Sequence, residues 1–468
     1  VAEEKRLRML LWLVAIAFFM QTLDATIVNT ALPAMATALN ESPLKMHSVV
    51  ISYALAMATL IPASGWLADR FGTRRAFMSA IVLFSLGSLL CALSSNLTML
   101  VAARVLQGIG GAMLLPVGRL AVLRAFPRDR FLPAMAFVTI PGLIGPLIGP
   151  TLGGWLVEYA SWHWIFLINL PVGLIGCIMT HRYMVEAKQD KVGGFDLGGY
   201  LLLAFSMIGI SMALDGLSDL GMRHATVMVL LTFGFASLAA YWLRASRRPD
   251  ALFPLRLFEI NTFSVGILGN LFSRIGSGAM PFLIPLLLQV CLGYTPSQAG
   301  VMLIPVAAAA ILSKRIGPPL IRRAGYRKVL LVNTLLVGAA IMSFGLIGTA
   351  TPTWLLILQL ACFGAVNSLQ FTAMNTIALF DLEGANASSG NSLLSMIMML
   401  SMSLGVAIAG GLLAAFDTTA GQGTQALPAF QATFITVGLV TCASAWIFWQ
   451  LAPTAGRALK SVQDTGPD

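Results

Sequence analysis

In this chain of 468 residues, 57% of residues are apolar, only 10% are charged and the mean hydropathy is +0.84, so there is too little polar surface to cover a water-soluble globule. The formal net charge of +10 would suit nucleic acid in a soluble chain. Here the basic residues sit in short clusters between apolar stretches, which points to anionic lipid headgroups and membrane topology and leaves no nucleic-acid partner.

Fourteen apolar segments follow one another, at about 9–32, 46–67, 76–94, 98–121, 132–157, 163–181, 197–215, 224–243, 262–287, 296–313, 328–349, 352–376, 390–413 and 430–451. Runs of this length span a bilayer as helices, which satisfy their own backbone in lipid. They lack the alternation a barrel strand needs. The fold class is therefore an all-α polytopic membrane protein. The first run continues through Asp24 without a small-residue cleavage pattern and reads as a retained first helix rather than a signal peptide. Cys91, Cys177, Cys291, Cys362 and Cys442 all fall within apolar segments, with neither metal nor disulfide spacing, so no metal and no cofactor are expected.

Span 1 carries Asp24 within Leu23–Pro33, and span 4 carries Arg104, Gln107, Gly108, Gly110 and Gly111. An ion within the membrane must be paired, hydrated or protonated. Counting helical rise, Asp24 lies about 12 Å and Arg104 roughly 10 Å from the same membrane face, so a contact is permitted, either as a gating or proton-responsive pair or as a purely structural one. Between spans 2 and 3 the stretch Gly65–Arg75 reads as a tight charged turn. Gly65 and Gly72 allow close approach, Asp69 can cap a helix or pair with an arginine, and Arg70, Arg74 and Arg75 can bind a carboxylate or lipid phosphate, forming a conformational latch. Span 5 holds Gly145, Gly149, Pro150, Gly153 and Gly154, a pliable helix-packing seam expected to act as a hinge. Asn169, in the aromatic-rich Trp162–Gly173, reads as a helix-contact residue.

The second half repeats the first at an offset of about 253 residues: Asp69–Arg75 aligns with Arg322–Lys328, with Arg322 where Asp69 stands. Spans 1–6 then correspond to spans 9–14, and spans 7 and 8 form an inserted hairpin. The expected organisation is a six-helix half at 9–181, a linker with the inserted pair at 182–261, a second six-helix half at 262–451 and a cytoplasmic tail at 452–468. With both termini inside, 24 of the 29 Lys and Arg residues fall in inner loops and tails, as the positive-inside rule predicts. Two parallel halves around a central cavity suit alternating access by rocking.

The Gly65–Arg75 stretch resembles the signature loop of major facilitator transporters. Arg104–Ala112 and Gly145–Gly154 resemble patterns of the drug:proton antiporters in that superfamily. Ala31–Pro33, Trp164–Gly173 and the fourteen spans are similar to its fourteen-span (DHA2) branch, and Pro116–Leu120, Phe195–Gly199 and Asn386–Ser392 resemble stretches of enterobacterial multidrug transporters of that branch. The resemblance covers nearly the whole chain. It implies a multi-pass protein of the bacterial inner membrane that lets protons in to expel a small organic, amphipathic or drug-like compound, working as a monomer among membrane lipids. Some relatives that expel dications carry an acidic residue in span 10; Met302–Leu312 has none.

Candidate cavity residues are Gln107, Asp215, Arg274, Gln289, Asn367, Gln370, Asn375 and Asn391, with Met280, Phe282, Phe371, Met374 and Met396 as an adaptable apolar lining or as helix packing. A narrow exporter of an anionic or zwitterionic metabolite, using Arg104, Arg119 or Arg274, is the alternative within the same class. A non-transporting sensor or scaffold is the alternative outside it. No Walker loop and no nucleophile constellation appears, so neither ATP drive nor enzyme chemistry is expected.

Overall fold

The structure, a computed structural model, describes residues 2–188, 193–216, 224–382, 384–417 and 423–456. Lys191, Asp219, Arg223, Arg457 and Lys460 lie outside them. No strand occurs among the described residues.

The helices are α1 (Ala2–Ala38), α2 (His47–Phe71), α3 (Thr73–Ala92), α4 (Leu97–Ala125), α5 (Arg128–Tyr159), α6 (Trp164–Tyr183), α7 (Leu197–Gly216), α8 (His224–Arg247), α9 (Asn261–Cys291), α10 (Pro296–Ala324), α11 (Tyr326–Leu346), α12 (Thr353–Leu379), α13 (Gly384–Phe416) and α14 (Gly423–Trp449). Each covers one of the fourteen apolar runs. Among the described residues, thirteen helical segments are long and apolar enough to cross a bilayer; α5, with 32 residues around the 132–157 run, adds the remaining helix of that length. Helix starts follow local chemistry: Asn96 Oδ1 accepts from Met99 N–H (2.8 Å) to cap α4, and Thr295 with Gln298 forms a capping box on α10.

Two charged stretches differ from the expected loops. Gly65–Phe71 forms the last turns of α2 and Thr73–Arg75 the first turn of α3, so only Gly72 leaves the helix. Its φ of 95° reverses the chain within one residue, a conformation open to glycine. The backbone stays satisfied: Gly72 N–H donates to Ala68 O (2.9 Å) and Thr73 N–H to Ala187 O (3.1 Å). Gly325, between α10 and α11, does the same with a φ of 84° and an N–H bonded to Ile321 O (2.8 Å). Hydropathy marks where charge begins, whereas these helices continue past that point.

The bundle has a basic end, carrying Gly72, Gly325 and the Arg/Lys clusters, and a far end opposite. Helices α1–α6 pack among themselves, as do α9–α14, while the α7–α8 hairpin rests through α7 on α2 and α13. Asp196 holds the hairpin at the basic end, capping α7 through Gly199 N–H (3.1 Å) and accepting from Arg244 Nε (3.0 Å). Burial pushes its carboxyl up, but those bonds and the charges of Arg244 and Arg248 outweigh it and hold the group below the usual carboxylate range.

The two six-helix groups share apolar packing at the far end. One apolar core there runs from Ile27, Leu32 and Val49 across to Phe282, Leu286 and Phe430. Toward the basic end two cores lie within single groups, one around Leu13, Phe77 and Val117 and another around Leu330, Met374 and Phe448, while a third joins Ala58 of α2 to Leu203 of α7 and to Phe263 and Leu393 of the second group. Contacts between α5 and α10 concentrate in the far-end turn Pro296–Met302.

Candidate functional site

Within the first six helices, three buried polar side chains converge on Asp24. Arg104 Nη1 donates to Asp24 Oδ2 (2.6 Å) and to Gln107 Oε1 (2.9 Å). Gln107 Nε2 and Asn169 Nδ2 both donate to Asp24 Oδ1, at 3.0 and 3.2 Å. Asn169 in turn donates to Ser88 Oγ (2.9 Å), whose hydroxyl donates to Phe166 O (2.7 Å). Arg104 Nε donates to Val49 O (3.2 Å), and its guanidinium lies 4.1 Å from the centre of the Tyr53 ring. Asp24 and Arg104 are each 1% exposed. Both carboxylate oxygens accept hydrogen bonds, the condition under which a buried ion pair is tolerated.

The glycines of α4 make this convergence possible. A Cβ on Gly108 would lie 2.7 Å from Tyr53 O, and one on Gly110 would collide with the Phe84 backbone. Without them α4 could not approach α2 and α3 closely enough for Arg104 to reach Val49 O. Asp24 and Arg104 therefore meet, and Gln107 joins them instead of lining a cavity. The sequence does not mark Asn169 as a partner of Asp24, nor Ser88 as the partner of Asn169; a lone asparagine in the apolar part of its helix is the available signal.

At the basic end Asp69 lies within α2 and pairs with Arg124 of α4, which also donates from Nη1 to Ala187 O (3.1 Å). Arg74 and Arg75 each approach Glu186 Oε2 at 3.7 Å, and a Cβ on Gly72 would collide with the Glu186 carboxylate. Arg70 is exposed, and a Cβ on Gly65 would meet nothing. The stretch thus clasps the chain just after α6, within the same six-helix group.

The span 5 residues divide between two contacts. Gly145, Gly149 and Gly153 face Thr22, Thr26 and Thr30 of α1, where any Cβ would strike the threonine hydroxyl. Each of those hydroxyls donates to a carbonyl three residues back on its own helix, at 3.0–3.2 Å. Gly154 and Pro150 meet the other group instead: a Cβ on Gly154 would collide with Pro296 O, and Pro150 O lies against Gly300. Thr151 Oγ1 donates to Gly300 O (3.1 Å).

The remaining cavity candidates scatter. Asp215 accepts from His47 Nε2 at the far end (2.6 Å). Gln289 Nε2 donates to Thr30 O across the seam (2.9 Å). Gln370 is buried among Asn333, Thr334 and Ser273. Asn375 and Asn391 are half-buried, Asn375 Oδ1 without a hydrogen-bond partner. None of these five is among the residues bordering the cavity at Arg274, and Gln289 and Gln370 bond to neighbouring helices instead. Met280 and Phe282 lie fully buried in the far-end core. Arg274 and Asn367, with Phe371 and Met374, do border a cavity of about 190 Å³.

A fourteen-helix bundle built of two six-helix groups around a far-end seam defines a membrane transporter fold. The chain belongs to the Major Facilitator Superfamily, matching that family over residues 14–379. It is 51% identical over 441 residues to "Putative multidrug resistance protein MdtD" of Pectobacterium carotovorum subsp. carotovorum, covering 94% of each chain. It is 53% identical over 406 residues to the protein of the same name from Serratia proteamaculans, covering 87% of this chain and 85% of the relative. Among solved structures, a POT family transporter in complex with 5-aminolevulinic acid superposes with a TM-score of 0.69 at 17% identity over 96% of each chain. A D-xylose-proton symporter superposes with a TM-score of 0.66 at 14% identity, covering 96% of this chain and 98% of that one. At these identities the structures share the fold.

Proposed function

We propose that the protein is a proton-coupled exporter of small organic, amphipathic compounds in the bacterial inner membrane, with its basic end and both termini in the cytoplasm, working as a monomer among lipids. The names of the relatives support drug-like cargo. The basic clusters at one end support the orientation through the positive-inside rule. The α2–α3 clasp and the glycine ladder of α5 then hold the first half together, and the contact of Gly154 and Pro150 with Pro296 and Gly300 is the hinge on which the halves rock.

The observation that carries the reading is the Asp24 carboxylate at 1% exposure, both of its oxygens accepting hydrogen bonds. A proton on Asp24 cancels the charge that holds Arg104 and turns one acceptor oxygen into a donor facing the donors Arg104, Gln107 and Asn169. The network must then rearrange, which couples protonation to the packing of α1 against α4 and α6. A carboxylate whose protonation has this cost in only one of two conformations exchanges protons as the halves rock.

The test is dye efflux from proteoliposomes with an imposed proton gradient. Efflux is expected to require the gradient and to fall at least tenfold in Asp24→Asn with the fold intact; gradient-independent efflux in the wild type overturns proton coupling.

A further inference from the structure

We propose that the cavity walled by α9, α12 and α13 binds amphipathic organic anions, with Arg274 holding the acidic group; this deepens the export reading above by naming its cargo class. Arg274 lies about 20 Å along α9 from its basic end, near mid-membrane depth. Its Nη2 donates to Asn270 Oδ1 (3.2 Å), and its guanidinium sits 4.5 Å from the centre of the Phe371 ring. Arg274 Nε is buried and has no hydrogen-bond partner. Among the described residues no carboxylate lies within ion-pair distance of it.

The contrast with Arg104 is the core of the argument. Both arginines sit in the membrane interior, but Arg104 has Asp24 and Arg274 has an amide, a ring face and a cavity. An uncompensated guanidinium in a low-dielectric site is costly, and an arriving anion supplies the missing charge through two parallel N–H donors. The rest of the wall is soft and apolar: Phe371, Met374, Met398, Met399 and Met402. Thioethers and a ring adapt to varied carbon skeletons. Asn367 and Ser277 add neutral polar groups, and among the described residues no acidic side chain lines the cavity, so a cation meets only repulsion from Arg274. Met399 also packs against the core of the first six helices, which sets the cavity at the seam that rocking would open.

The probes are three naphthalenes of matched size, 1-naphthalenesulfonate, 1-naphthalenemethanol and 1-naphthylmethylammonium, titrated calorimetrically into wild-type protein in zwitterionic nanodiscs. The sulfonate is expected to bind at least tenfold tighter than the alcohol, and the ammonium weakest. Arg274→Gln should erase the advantage of the sulfonate and leave the alcohol unchanged, while Arg274→Lys keeps part of it. Ammonium binding equal to or tighter than sulfonate binding in the wild type overturns the proposal without any variant, as does a sulfonate advantage that survives in Arg274→Gln. Because no proton gradient enters this assay, Arg274-dependent sulfonate binding without gradient-driven efflux overturns the export reading alone. Gradient-driven efflux of cationic dyes without sulfonate preference overturns the anion assignment alone.

Discussion

Asp24 and Arg104 occupy the same buried site but differ in how they tolerate losing each other. A stranded Asp24 can take up a proton and become neutral, whereas a stranded guanidinium stays charged. Asp24→Asn is therefore expected to destabilise the folded protein by about 3–5 kcal/mol, and Arg104→Gln by less. The double variant Asp24→Asn/Arg104→Gln should be more stable than Asp24→Asn alone, because it removes the orphaned charge. Unfolding titrations in mixed micelles check this order; additive losses in the double variant would mean the pair is not coupled. The contact itself was legible, since two lone charges at equal depth in apolar runs have few other partners. Asn169 and Ser88 were not, nor was the burial of Gln107 and Gln370. In a lipid-embedded helix nearly every face is apolar, so the amphipathic pattern that tells which way a side chain points is missing.

Helix α5 shows the same limit at the next scale. The four-residue spacing of Gly145, Gly149 and Gly153 announces a packing seam, but only the register of α1 shows that Thr22, Thr26 and Thr30 fill it. A side chain at 149 must displace the Thr26 hydroxyl. Gly149→Ala is expected to cost about 1–3 kcal/mol and to slow transport, and adding Thr26→Ala should recover part of both. Thermal stability and initial flux measured on the two variants check it; no recovery in the double variant would place the strain elsewhere. The Gly65–Arg75 stretch was misread for a related reason. Its charges mark a change of solvent, and helices α2 and α3 pass through that change with Gly72 as their sole break.

For the whole molecule, the internal repeat was the most informative sequence signal, because Gly72 and Gly325 do the same backbone work at equivalent points of the chain, with φ of 95° and 84°. The shape that the two groups make together was not readable: which cores the groups share and which stay within one group depends on the surfaces that meet across the seam. Asp24 is the group proposed to tie the rocking of the two groups to a proton. The most direct measurement follows the pH inside proteoliposomes, with a trapped pH-sensitive dye, after a gradient of transported substrate is imposed and no proton gradient is present. Substrate moving one way should drive protons the other way in the wild type. In Asp24→Asn, and in the better-folded Asp24→Asn/Arg104→Gln, substrate exchange should persist with no proton movement. Substrate-driven proton movement of wild-type size in both variants would contradict the account and place the coupling carboxylate elsewhere.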